Sequence, residues 1–198
     1  MARRKGISLT RNDVIAAALA LVEESGPAAL NLHAVATRLG IRTPSLYNHV
    51  DGFDDLQQAM ALEIGQMALA EVVWQPEDGP AESLRSLARA FRRFAQRRGN
   101  LFNQLMMSPV NWRQPPFAAM WALLFGRAEH GVLGFEINPA DQTHAVHYVF
   151  ATISGFIRLE LRGAMADEAA ADQSFEWVLD RVITALESQR PKETPAPG

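Results

Sequence analysis

The chain has 198 residues, 48% of them hydrophobic and none of them cysteine, which allows a sizeable core and excludes disulfides, thiolate metal sites and thiol nucleophiles. Its formal net charge is −3, yet residues 1–50 carry six basic residues (Arg3, Arg4, Lys5, Arg11, Arg38, Arg42) against three acids, a net of +3, and the remainder carries −6. A basic head on an acidic body directs a polyanion to one end of the molecule.

The opening MARRKGISLTRNDV is basic, but no apolar run follows it, so it does not read as a secretory signal. No stretch nears the ~18 apolar residues of a membrane span. A soluble, cytoplasmic protein is the expectation. Thr10 can cap a first helix, with Asp13 three residues on in capping-box position. Ile15, Ala18, Leu19 and Val22 form its apolar face. Ser25-Gly26-Pro27 ends it. Asn31 can cap a second, short helix carrying Val35, Ala36 and Leu39, stopped by Gly40. Thr43 reads as the cap of a third helix, with Pro44 in the favoured first position. After Asp51-Gly52 a long helix is expected over 53–73, with Leu56, Met60, Ile64 and Met67 along one side.

Prolines and a glycine among acids in WQPEDGP, residues 74–80, mark a break. Beyond it helices are expected over 81–98 (Leu84, Leu87, Ala88, Phe91 and Ala95 inward), 100–107, 117–130, 139–163 and 172–188. The final PKETPAPG, residues 191–198, reads as a disordered tail. The pattern is all-α, about nine helices with no strand. It divides into an N-terminal three-helix domain at 1–52 and a larger helical bundle at 53–190.

The second and third helices satisfy the spacing of a helix-turn-helix. Val35 precedes the small Ala36; Leu39, Gly40, Ile41 and Leu46 follow it at three, four, five and ten residues. A small side chain lets two helices approach, glycine makes the turn, and apolar residues fill the angle. Such a corner can project the third helix into a major groove.

These residues, together with Thr10…Ile15-x-x-Ala18-Leu19, Gly26, Thr43-Pro44-Ser45-Leu46-Tyr47-Asn48-His49-Val50 and Leu56, resemble the TetR family of one-component transcriptional regulators over about residues 8–60. Further on, Gly155-Phe156-Ile157-Arg158-Leu159-Glu160 resembles the Gly-x-x-x-Leu-Glu segment in the ligand domain of a subset of that family. The resemblance implies that the start of the third helix reads base edges, through Arg42, Thr43, Pro44 and Ser45. It implies that Tyr47 and His49 hold backbone phosphates, and that His33 supplies a polar contact from the second helix. Asn48 reaches phosphate or water. Arg11, with Arg3, Arg4 and Lys5, could neutralise phosphates nonspecifically. The family often places a lysine near the start of the fourth helix; here Phe53 stands there, followed by Asp54 and Asp55, so no DNA contact is assigned to it.

In the body, the helix over 139–163 is apolar on nearly all sides, which suggests one face on the core and another on a partner. With the stripe Phe175, Val178, Leu179, Val182 and Leu186 on the last helix, it predicts a homodimer through a four-helix bundle. A dense set of aromatic and methionine residues (Phe102, Met106, Met107, Trp112, Phe117, Met120, Trp121), with Phe150 and the polar handles His147 and Ser154, predicts a pocket for a small, mostly apolar effector. His144 and His147 share a helical face, but no further ligand completes a metal site, and no metal or cofactor is expected. The arginines at 85, 89, 92, 93, 97 and 98 form a basic sector whose charges acids elsewhere should balance. There is no nucleophile–base pair, Gly-rich phosphate loop or catalytic carboxylate pair, so an enzyme is not expected. The expected function is a ligand-responsive regulator, a repressor that binds a palindromic DNA operator as a dimer. A helical enzyme or carrier using the cavity, or a protein-binding adaptor, is the alternative.

Overall fold

The computed structural model describes residues 9–73, 79–109, 115 and 132–189. Among these the α-helices are α1 (Arg11–Ser25), α2 (Leu32–Leu39), α3 (Phe53–Leu69), α4 (Pro80–Arg97), α5 (Gly99–Met107), α6 (Gln142–Leu161) and α7 (Glu168–Glu187). Short 3-10 turns cover Pro27–Ala29, Thr43–Asn48 and Val132–Phe135. No strand occurs among the described residues. The helix expected over 117–130 and the tail at 191–198 lie outside them.

The chain divides into two compact units, one of Met1–Met67 and Phe94–Phe117, the other of Ala68–Arg93 and Ala118–Gly198. In sequence, α3 and α4 each run across that division.

In the first unit, local chemistry sets the helix ends. The Thr10 hydroxyl accepts from the Asp13 amide at 3.2 Å, and the Asp13 carboxylate accepts from the Thr10 amide at 2.8 Å. This reciprocal box satisfies donors that the first turn leaves orphaned. The Asn31 side chain accepts from the Ala34 amide at 2.8 Å and starts α2. Gly40, at φ 67 and ψ 31, stops it; the left-handed turn lets the Ile41 amide reach back to the Ala36 carbonyl at 3.0 Å. α1 packs on α2 and on α5, and the 43–48 turn packs on α2. Val14, Ala18, Val22, Val35 and Leu46 are fully buried, and Ala36 nearly so. Asn100 of α5 donates to the Glu23 carbonyl near the end of α1 at 3.0 Å.

The third helix differs from expectation. Thr43–Asn48 is a 3-10 turn, its cap position is Arg42, and no side chain caps it. Thr43 is already inside. Six residues closed by the turn at Asp51-Gly52 are too short for a cooperative α-helix. α3 ends at Leu69 rather than 73. α6 begins at Gln142 rather than 139, because Asn138 takes the Ala140 amide on its side chain at 3.0 Å and turns the chain first. α7 begins at Glu168 rather than 172, because Asp167 caps it through the Ala170 amide at 2.8 Å.

In the second unit, α6 packs on α7, and the 132–135 turn packs on both. α4 presents arginines one turn apart to acids on these helices. Arg85 pairs with Asp180, Arg89 with Glu176 and Glu82, and Arg92 with Glu160 and Asp172, so the expected balance of that basic sector holds at these three positions. Arg92 is only 8% exposed. It meets Glu160 through two hydrogen bonds of 2.8 and 2.6 Å, and its guanidinium lies 4.8 Å from the centre of the Phe175 ring.

Two substitutions test these supports by denaturant unfolding. Leu46→Ala should lose about 2–5 kcal/mol, the usual range for a fully buried leucine. Glu160→Gln should lose about 3 kcal/mol, the low end for breaking a buried pair, because Asp172 stays beside Arg92.

Candidate nucleic-acid interface and effector cavity

The corner formed by α2 and the 43–48 turn displays one polar surface. Leu46 faces inward at 0% exposure and Val50 at 2%, while Tyr47 is 57% exposed. Arg42, Pro44, Asn48 and His33 are exposed, and Thr43, Ser45 and His49 are half-buried. All nine residues expected at a DNA surface except Arg11 therefore fall on or beside α2 and the turn. Arg3, Arg4 and Lys5 lie outside the described residues.

Arg11 does something else. Its guanidinium makes two bonds of 2.7 Å to the Asp55 carboxylate and donates to the His49 carbonyl at 2.9 Å. Asp55 also accepts the Asp51 amide at 2.8 Å. Arg11 was expected to neutralise phosphate; in this structure its charge is met by an acid of α3. Arg38 is likewise bound to Glu24 by two bonds of 2.7 and 2.6 Å. Among the described basic residues of the head, Arg42 alone keeps its charge without an acid partner. The positive excess seen in residues 1–50 is therefore largely internal at the positions described. The pairing of Asp55 with a partner 44 residues away left no local signal in the sequence.

Electrostatics follow the same contacts. Hydrogen bonding from Arg11 holds the Asp55 carboxyl below its ordinary value of 3.8, against an opposing desolvation cost.

The second unit holds an apolar cavity between α4 and α6, lined by Leu84, Leu87, Ala88, Phe91, Val149, Phe150, Ile153 and Ser154. Phe150 and Ser154 were expected there. The Ser154 hydroxyl, expected as a polar handle, instead donates to the Phe150 carbonyl at 2.6 Å, as a serine inside a helix does when no better acceptor is near. The remaining expected residues do not line this cavity or fall outside the described residues. Phe102 is fully buried in the core of the first unit. Met106 is half-buried and Met107 is 68% exposed on the same helix, in that unit. His147 is exposed on α6 and does not line the cavity. Trp112, Phe117, Met120 and Trp121 lie outside the described residues. The α4 residues had been read as core. Nothing local distinguishes a stripe that packs from one that lines a gap. Among the described residues, no cluster of three metal-ligating side chains occurs, and no helix is long and apolar enough to cross a membrane.

Residues 84–182 match the family described as the tetracyclin repressor-like C-terminal domain. An uncharacterized HTH-type transcriptional regulator of Mycobacterium tuberculosis is 23% identical over 184 residues, covering 90% of this chain and 82% of that protein. Among solved structures, a TetR variant from Acinetobacter baumannii in complex with minocycline aligns with a TM-score of 0.74 at 24% identity, over 93% of this chain and 100% of that one. BioQ with its natural double-stranded DNA operator aligns at 0.71 and 22% identity, over 91% and 99%. At these identities the structural likenesses establish the fold.

The Asp55 contact sets a pH dependence. A carboxylate with a depressed folded-state pKa stabilises the fold above its ordinary value, and that contribution is lost as pH falls through the lower, folded value. Thermal melts should therefore show no change from this group between about pH 5 and 8, and a loss below 3.8. Asp55→Asn should show a shallower acid loss than the native chain.

Proposed function

The chain belongs to the tetracycline-repressor-like (TetR) family of transcriptional regulators, and we propose that it is a homodimeric repressor that binds a palindromic operator and is released by a small apolar effector. A family of regulators, not of enzymes, sets the frame. The observation that carries the DNA reading is the corner itself: a buried Leu46 and Ala36 beneath an exposed row of Arg42, Pro44, Tyr47 and Asn48. Arg42 suits guanine, Thr43, Pro44 and Ser45 suit thymine methyls or weak hydrogen bonds, and Tyr47 and His49 suit phosphate oxygens. BioQ, solved on its operator, supports this use of the fold.

Dimerisation is supported by apolar side chains left on the surface of the second unit. On α6, Tyr148 and Leu159 are exposed, and Thr152 and Gly155 fall between them at helical spacing. On α7, Trp177 is 64% exposed. Large apolar groups on the last two helices of a regulator are suited to a two-fold interface. Such a dimer would present two heads about one DNA turn, or a multiple of it, apart.

The cavity between α4 and α6 is the effector site in this reading, as minocycline in the A. baumannii protein makes reasonable for the fold. Its lining has no charged group, which favours an uncharged, largely hydrocarbon ligand. α4 lines the cavity with Leu84, Leu87, Ala88 and Phe91 and, within the same helix, gives Phe94 and Ala95 to the first unit. It is the favoured element of coupling in this reading. A ligand shifts DNA affinity only as far as it binds the two conformations differently.

Selection of bound fragments from a random DNA pool tests this, with DNA flanking the protein's own gene as a second source. Failure to retain any sequence at low salt would leave a carrier or adaptor as the better reading. On the selected operator, Arg42→Ala should cost about 1–3 kcal/mol and relax the base preference at one position per half-site. Tyr47→Phe should weaken binding by about 1 kcal/mol on every sequence. Ala88→Leu, which fills the cavity, should keep operator binding and lose its release by compounds that release the native protein.

A further inference from the structure

We propose that Arg11 and Asp55 form a positioning clamp that holds the exit of the 43–48 reading turn, and that the DNA affinity of the head depends on its bidentate geometry rather than on its charge. The inference rests on the reading that this head binds DNA. It goes beyond it by giving two residues whose charges are matched to each other a role in recognition.

The reading turn enters and leaves its position by different means. At its start, the Ile41 amide is tied to the Ala36 carbonyl at 3.0 Å. Its middle is fixed by burial of Leu46. Its end has no glycine cap: His49, at φ −127 and ψ −26, closes the 3-10 turn through its amide to the Leu46 carbonyl at 2.8 Å. The carbonyl of His49 needs a donor from elsewhere. Arg11 supplies it at 2.9 Å. The Asp51 amide needs an acceptor, and Asp55 supplies that at 2.8 Å. The two side chains are joined by two bonds of 2.7 Å. One planar pair thus secures a donor and an acceptor of the same short stretch and links the first turn of α1 to the first turn of α3. Tyr47 lies just upstream of the secured carbonyl, on a turn whose 3-10 bonds are intrinsically weak. A lysine could match the charge but not the fork.

Three readings compete for Arg11, and they differ in sign. A phosphate contact predicts that losing Arg11 flattens the salt dependence by about 0.9 in slope. Plain electrostatics predicts that losing the acid Asp55 near DNA tightens binding. A clamp predicts that losing either residue weakens binding by the same factor on every sequence, with the salt slope unchanged.

The experiment measures operator affinity by fluorescence anisotropy over a range of salt, for the full chain and for Arg11→Gln, Arg11→Lys, Asp55→Asn and the Arg11→Gln/Asp55→Asn double variant. Each single variant should bind about tenfold more weakly, with unchanged salt slope and base preference, and the double variant no more weakly than either single. Amide hydrogen exchange gives a readout independent of DNA: Asp51 should exchange faster in all four variants while the interior amides of α1 stay protected, which separates clamp loss from failure to fold. A flattened slope in Arg11→Gln, tighter binding by Asp55→Asn, native affinity in Arg11→Lys, or unchanged exchange at Asp51 would each overturn the clamp. If the unaltered chain binds no operator while Asp51 responds as stated, the clamp stands as a structural device and the DNA-binding reading is what fails.

Discussion

A six-residue 3-10 turn cannot hold its own shape in water, and the head of this protein is organised around that constraint. Too few residues are present to repay the nucleation of a helix, so tertiary contacts must fix the surface proposed to read DNA. Leu46 is fully buried on a turn that packs against α2, where Ala36 is small and nearly buried, and Gly40 sets the direction of entry. Arg11 and Asp55 then fix the exit. Each support is modest alone. Together they convert a segment of weak intrinsic order into a surface with a defined orientation, which reading base edges demands.

Charge in the second unit is arranged the other way round from a simple solvated helix. Arg85, Arg89 and Arg92 recur along one face of α4 and turn toward acids of α6 and α7. Arg92 is buried and paired, so desolvation is offset by two carboxylates and an aromatic face. Glu160, the acid of the Gly-x-x-x-Leu-Glu segment, is one of those carboxylates. The physical reason for an acid at that position in this chain is therefore a buried cation on α4. Paired charges of this kind fix register between helices more firmly than they add stability.

What the sequence made legible was local. Capping at Thr10 and Asn31, the stop at Gly40 and the inward row of α1 all depend on residues within a turn of one another, and they appear as expected. Interactions that span the fold left no trace. The partner of Arg11 sits 44 positions away, so its charge read as free. The Asp167 cap was missed because the EAAAD run after it lacks apolar spacing. Phe102 read as a pocket residue because composition cannot tell a filled core from a lined cavity; in the structure it is fully buried in the first unit and does not line the cavity beside α4 and α6. Leu84, Leu87 and Ala88 read as inward, and they are buried as expected while also bordering the cavity.

The pairing of Arg11 and Arg38 with acids changes how binding strength should be apportioned. With Arg11 and Arg38 internally matched, these two cations would add little to phosphate contact in the proposed complex, and nonspecific affinity scales with such contacts. Phe53 in place of a cation at the start of α3 acts in the same direction. In that case one head would bind weakly, whereas two heads joined at a fixed distance would multiply their affinities through a high effective concentration. In the proposed dimer, most of the operator affinity would then reside in the spacing between heads rather than in either head. A ligand that altered that spacing slightly would remove the second head's contribution without having to disrupt the first. Weak individual grip is thus what would let a small apolar molecule, with limited binding energy of its own, control a protein–DNA complex.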